Sequence, residues 1–285
     1  MRMRGILMSA SCALALTVMA GCGASGPAPG AAPAHRGASA TGAANGAHSS
    51  PPAGSPSVPP RPTPAPGYGP GHPLTGRWAG QLPTFIPTAR HVVALTFDAG
   101  ANDAGVPSIL RTLRRFHVAA TFFMTGQFAR TYPAVAREIA ADGFRIGNHT
   151  MTHPYLTRLS DAGVRRQILA AAQVITKVTG ANPAPLFRFP YGDENAHLIA
   201  VANRLGYVTV SWTVDTLGWE GASAGITVSE VASRVLAALR PGEIVLMHVG
   251  SSPDGSALDA HALPRVISEL RARGYSFVTL NALAG

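Results

Sequence analysis

Cysteine is nearly missing from this chain. Cys12 and Cys22 are the only two among 285 residues. Cys12 lies in an N-terminal apolar stretch that reads as a removable leader, so one cysteine and no disulfide is expected in the mature protein. Acidic residues are scarce as well, 14 against 23 Lys plus Arg, for a net charge of +9. The basic residues are almost all arginine, scattered and without aromatic interleaving, which argues against a nucleic-acid partner. Long apolar runs are lacking too, since the N-terminal one is too short to span a bilayer comfortably.

What is present divides the chain into three parts. The opening MRMRGILMSASCALALTVMAGC has two arginines, an apolar stretch and small residues before Cys22, the pattern of a secretory signal over residues 1–21. Its ending, VMAGC, resembles a bacterial lipobox, whose cysteine becomes the lipidated first residue of the mature chain. An exported lipoprotein on the outer face of the cell membrane is therefore expected, with the lipid anchor its only membrane contact. Residues 22–75 are rich in Pro, Ala, Gly and Ser with almost no branched apolar residue, so they read as a disordered tether reaching about 40 Å on average. Residues 76–285 are enough for one domain with a sizeable core. From Arg77 onward there are 19 basic and 14 acidic residues, a charge of +5 that suits mild attraction to anionic wall polymer. A monomer is expected.

Within that domain, β-branched and aromatic runs begin at HVVALTF (91–97), AATFFM (119–124), FRIGN (144–148), LFRFP (186–190), YVTVSW (207–212), EIVLMH (243–248) and SFVTL (276–280). Helical patterns alternate with them, among them VPSILRTLRRF, VRRQILAAAQVITKVTG and ALPRVISELRARG, several closed by a glycine suited to a helix end. Seven strands with six intervening helices predict an α/β fold, a parallel sheet or barrel. Chemistry in such folds gathers at the carboxyl ends of the strands.

Those ends are polar. They carry Asp98 in LTFDAG, His149 and His153 in GNHTMTHPY, Arg188 and Tyr191 in FRFPYG, Asp215 and Trp219 in VDTLGW, and His248 in VLMHVG. A lone aspartate after a strand is usually a turn former, and a lone histidine a satisfied core residue. Five polar strand ends opening on one mouth make that explanation insufficient. Histidines four apart can converge on one cation.

With these motifs in this order, the stretch from about Arg90 to Leu283 resembles the NodB-type polysaccharide deacetylases, carbohydrate esterase family 4. The resemblance implies a distorted (β/α) barrel of about seven parallel strands and a divalent metal, commonly Zn2+. It also implies hydrolysis of N-acetyl groups of amino sugars, or of O-acetyl esters, in cell-wall or other N-acetylated polysaccharide. On this resemblance His149 and His153 hold the metal, Asp98 is the general base and Arg188 tethers it. His248 is the general acid, the Tyr191 amide helps bind the oxyanion, and Trp219 and Leu246 wall the acetyl pocket.

Two positions depart from the pattern. Ala99 stands where the family has a metal-binding aspartate, leaving Asp103, Asn102 or a water as candidates for the third ligand, with a helix N-cap the competing role for Asp103. Gly218 stands where an aspartate would support the acidic histidine, and Asp215 is the candidate stand-in. His117 reads as a helix C-terminal cation, and His197 and His261 as surface residues. Two other functions stay open: a non-catalytic glycan-binding lipoprotein, and a hydrolase of the same fold opening a cyclic amide.

Overall fold

A computed structural model describes residues 72–283; the expected leader, the Cys22 expected to carry the lipid and most of the expected tether lie outside the described residues. Eight strands are formed: β1 (Val92–Ala99), β2 (Ala120–Met124), β3 (Arg145–Asn148), β4 (Leu186–Phe187), β5 (Val208–Thr209), β6 (Val214–Asp215), β7 (Glu243–His248) and β8 (Ser276–Phe277). The α-helices are α1 (Val106–Phe116), α2 (Gly126–Thr131), α3 (Pro133–Ala141), α4 (Asp161–Thr179), α5 (Ala196–Arg204), α6 (Val228–Ala237) and α7 (Leu258–Ala272). All seven strand-like runs of the sequence become strands, several of them shortened to two residues, and β6 is added.

The strands pair in parallel in the order β5-β4-β3-β2-β1-β7-β6, and β8 joins the start of β1 at Val92 and Val93. The sheet is the curled, distorted (β/α) barrel, open between β5 and β6. Side chains alternate across a strand, and the two faces of β1 show it. Val93, Leu95, Phe97 and Ala99 join the cluster that α1, α6 and α7 cover, while Ala94 faces Phe123, Leu186, Val208 and Ile244 on the inner side. Asp98 has the parity of Ala94, so it ends the inner row. On β7, Val245 and Met247 lie in the outer cluster and Ile244 in the inner one, which gives His248 the inner face as well. Asp98 and His248 are register partners.

The helices end where their sequences say they should. The Ser160 side chain caps α4 and Gly180 closes it at φ 70°, a left-handed value that favours glycine. At α6, Thr227 and Glu230 form a reciprocal capping box. Leu74, expected in the tether, is already buried in the inner cluster, with its N–H donating to the Asn203 carbonyl at 2.8 Å.

Candidate active site

The β1 carboxylate and a buried arginine form the charged floor of the mouth. Asp98 is 7% exposed and Arg188, just past β4, is fully buried. The Arg188 guanidinium donates to Asp98 Oδ1 at 2.8 Å and Thr96 Oγ1 at 2.9 Å, donates to the Ser211 carbonyl at 3.1 Å, and lies over the Phe123 ring at 4.1 Å. Burial pushes the Asp98 carboxyl toward its neutral form. The Arg188 charge, with His149 and His248 beside it, outweighs that and holds its pKa below the ordinary value, so Asp98 is ionised at neutral pH.

His149 and His153 do converge. Their Nε2 atoms are 3.1 Å apart, and the Asp98 Oδ2 atom is 3.3 Å from His149 Nε2. His149 Nδ1 faces the Arg188 carbonyl at 2.9 Å, a contact that only an N–H satisfies, so the lone pair is at Nε2. Burial lowers the pKa of His149, and burial with the neighbouring His149 brings His153 down to about 4. Both rings are neutral at pH 7. Nitrogens bound at about 2.0–2.1 Å to one tetrahedral cation sit about 3.3 Å apart, so this donor pair fits a divalent ion such as zinc.

The loop that presents the pair is held from two sides. Gly126 and Gln127 at the start of α2 donate to the Thr150 and Met151 carbonyls at 3.0 and 2.9 Å, and Gln167 of α4 accepts from Met151 and Thr152 at 3.0 Å each. Among the described residues, four of the five non-glycine residues with left-handed φ are at this mouth: Thr150, His153, Tyr191 and Leu217. Such backbone costs of order 1 kcal/mol per residue or more and persists where the surroundings enforce it.

Asp103 does not join the pair. Among the described residues no group of three or more His, Cys, Asp or Glu side chains is arranged to hold a metal. Nor does Asp103 cap α1: the cap position is Gly105, without a side-chain bond, and Asp103 contributes its backbone carbonyl to Val106 N–H at 3.0 Å. Asn102 is engaged elsewhere, accepting from Ser251 N–H at 2.9 Å and donating to its carbonyl at 3.1 Å.

On the other side of the mouth, Asp215 is not the partner of His248. Its Oδ1 accepts from Leu217 N–H at 2.9 Å and its Oδ2 from Trp219 Nε1 at 3.4 Å, because the turn after β6 directs the carboxylate along its own loop. The close carboxylate is Asp259 of α7, whose Oδ2 accepts from His248 N–H at 2.8 Å and lies 3.8 Å from Nδ1. Burial opposes a charged His248, but Asp259, Asp98 and Asp215 prevail and hold its pKa above the ordinary value. Nothing in SALDAHALPR, the segment around Asp259, marked it as part of the site.

The rim is aromatic. Tyr191 and Trp219 are 57% and 48% exposed, and Leu246 is buried on β7. Tyr191 stacks on Tyr155 at 4.2 Å and meets the His153 ring edge-on at 4.4 Å. His117 closes α1 in a left-handed cap, His197 pairs with Asp161 at 2.7 Å on the surface, and His261 is exposed, all outside the mouth.

A proton acceptor and a proton donor facing each other across a barrel mouth, beside two bare imidazole nitrogens, are the equipment of a hydrolase. Known proteins narrow that class. Residues 86–210 match the family model described as polysaccharide deacetylase. The chain is 34% identical over 197 residues to a chitooligosaccharide deacetylase of Azorhizobium caulinodans, covering 66% of this chain and 92% of that protein. It is 34% identical over 198 residues to a peptidoglycan-N-acetylglucosamine deacetylase of Bacillus cereus, covering 69% and 70%. The crystal structure of the peptidoglycan N-acetylglucosamine deacetylase Bc1960, in complex with an N-oxidanyl-benzamide, superposes with a TM-score of 0.64 at 32% identity, covering 70% of this chain and 90% of that one. The chain belongs to the polysaccharide deacetylase family.

Proposed function

We propose that the protein removes acetyl groups from the amino sugars of a wall or chitin-like glycan, with peptidoglycan the first choice. The single observation that carries this reading is the pairing of Asp98 with His248 across β1 and β7, with the two Nε2 atoms 3.1 Å apart beside them. His149 and His153 would hold a divalent ion, Zn2+ the first candidate. When bound, it supplies Lewis-acid polarisation of the acetyl carbonyl and makes water more acidic. Asp98, fixed by Arg188, accepts a proton from the attacking water as its oxygen bonds to the acetyl carbon. His248 gives a proton to the nitrogen as the carbon–nitrogen bond breaks, so acetate and a free amine leave. Tyr191 contributes its backbone amide to the developing oxyanion, and Trp219 and Leu246 enclose the methyl group.

We place the protein outside the cell, tethered through acyl chains on Cys22, because VMAGC precedes a long polar leash. Cys22→Ala should then move it from the membrane fraction to the medium. Acetate release from N-acetylglucosamine oligomers and from peptidoglycan, with and without added zinc, tests the activity. Metal-stimulated release is expected. A chain that binds the glycan but releases no acetate under any metal would be the non-catalytic glycan-binding lipoprotein instead.

A further inference from the structure

Asp259 stands in the first turn of α7, beyond the 86–210 stretch that matches the family model, and is 3% exposed. A carboxylate there ordinarily serves the free amides of its own helix. This one turns away from them. Its Oδ1 accepts from the hydroxyl of buried Thr216 at 2.7 Å, and its Oδ2 accepts from His248 N–H at 2.8 Å. The His248 Nδ1 atom is buried and has no hydrogen-bond partner among the described residues. The Asp259 Oδ2 atom lies 3.8 Å from it, so a small rotation of the imidazole would close the bond.

Gly218 explains how a helix residue reaches so far. A Cβ at that position would lie 2.4 Å from Asp259 Oδ1, 2.6 Å from Cγ and 2.9 Å from Oδ2. The φ of Gly218 is outside the left-handed region, so its backbone conformation does not call for glycine. The carboxylate does, because it fills the volume a side chain at 218 would need.

We infer that Asp259 is the positioning residue of His248, reaching from α7 into the space left open by Gly218 to hold Nδ1 toward its carboxylate and leave Nε2 for the substrate. The groups around the imidazole agree with this. Asp259 from α7, Asp98 from β1 and Asp215 from β6 all favour its charged form over the opposing effect of burial. Of the three, Asp259 alone is hydrogen-bonded to His248, through the backbone N–H, and its Oδ2 is the carboxylate oxygen 3.8 Å from the ring Nδ1. What the proton is used for rests on the deacetylase reading; the pairing itself does not.

The full-length chain tests both. Asp259→Asn should lower kcat on N-acetylglucosamine oligomers at least tenfold with little change in KM, and shift the alkaline limb of the pH profile to lower pH. Hydrolysis of 4-nitrophenyl acetate should fall far less, because its leaving group needs no proton. Gly218→Asp alone should lower activity and the melting temperature by crowding one carboxylate against another. Combined with Asp259→Gly, it should regain most of the amide activity that Asp259→Gly loses, an outcome that a merely structural aspartate would not produce. Nitrogen-edited NMR titration of the His248 ring reads the pairing without turnover, and its midpoint should drop in Asp259→Asn. An unchanged midpoint overturns the inference, as does an equal loss on amide and ester. Acetate release absent from the wild type while the midpoint still drops would instead sink the deacetylase reading and leave the pairing standing.

Discussion

Asp98 and Glu243 are both buried carboxylates on adjacent strands, and their surroundings differ. Asp98 ends the inner row at the mouth, where Arg188 donates to it and two histidines flank it. Glu243 opens β7 at the opposite end of the sheet, fully buried, with neither carboxyl oxygen hydrogen-bonded among the described residues. Burial pushes its carboxyl up to about 8, whereas Asp98 is held below the ordinary range. The same desolvation acts on both, so partners, not depth, decide which one is charged at neutral pH.

The largest effect should come from making Asp98 resemble Glu243. Arg188→Ala leaves an uncompensated buried charge and should cost about 3–5 kcal/mol in denaturant unfolding at pH 7. Asp98→Asn keeps the shape and removes the base. It should reduce turnover about a hundredfold or more while zinc content stays close to that of the wild type, so full acetate release from this variant would contradict the assigned role.

Glu243→Gln sharpens the other half of the comparison. A folded carboxyl at about 8 against an ordinary 4.5 binds its proton more tightly than the unfolded chain does. The stability this contributes is fully present below pH 4.5 and is lost as pH rises through 8. Relative to wild type, the glutamine variant should gain about 1.4 kcal/mol between pH 7 and pH 9, and parallel pH–stability curves would show that Glu243 is not the buried proton site. The smallest effect belongs to Asp103→Ala, which touches neither histidine. Metal content should barely move there, against its loss in His149→Ala. Loss in both would mean that the 100–105 loop folds back when metal binds.

The cluster at the mouth was legible from the strand ends because residue type and position coincided there. HVVALTFDAG and EIVLMHVG are apolar runs ending in one titratable side chain, and parallel strands deliver such endings to a common mouth. What the strand ends left out was made by packing. Val214–Asp215 is a strand through pairing with β7, not through any run of its own. Helix α2 is six residues beginning at a glycine, too short for a periodic signal. Asp259 lies 11 residues past His248 and 43 past Thr216, and only the docking of α7 beside β7 brings the three together. Conversely, Asp215 was adjacent in sequence to the right residues, but its own turn claimed both oxygens.

Because Asp98 and His248 are register partners, the interstrand repeat of about 4.8 Å acts as a ruler between the proposed proton acceptor and donor. That ruler belongs to the backbone of two central strands and is indifferent to the loops above it. Lengthening or exchanging the segments that carry Tyr155, Tyr191 and Trp219 would retune which glycan is admitted while leaving the spacing of the chemistry alone. A one-residue slip of β7 would do the reverse, turning His248 out among the helices with the rim intact. Substrate choice and reaction are thus separately heritable in this fold, one written in the loops and the other in a hydrogen-bond register.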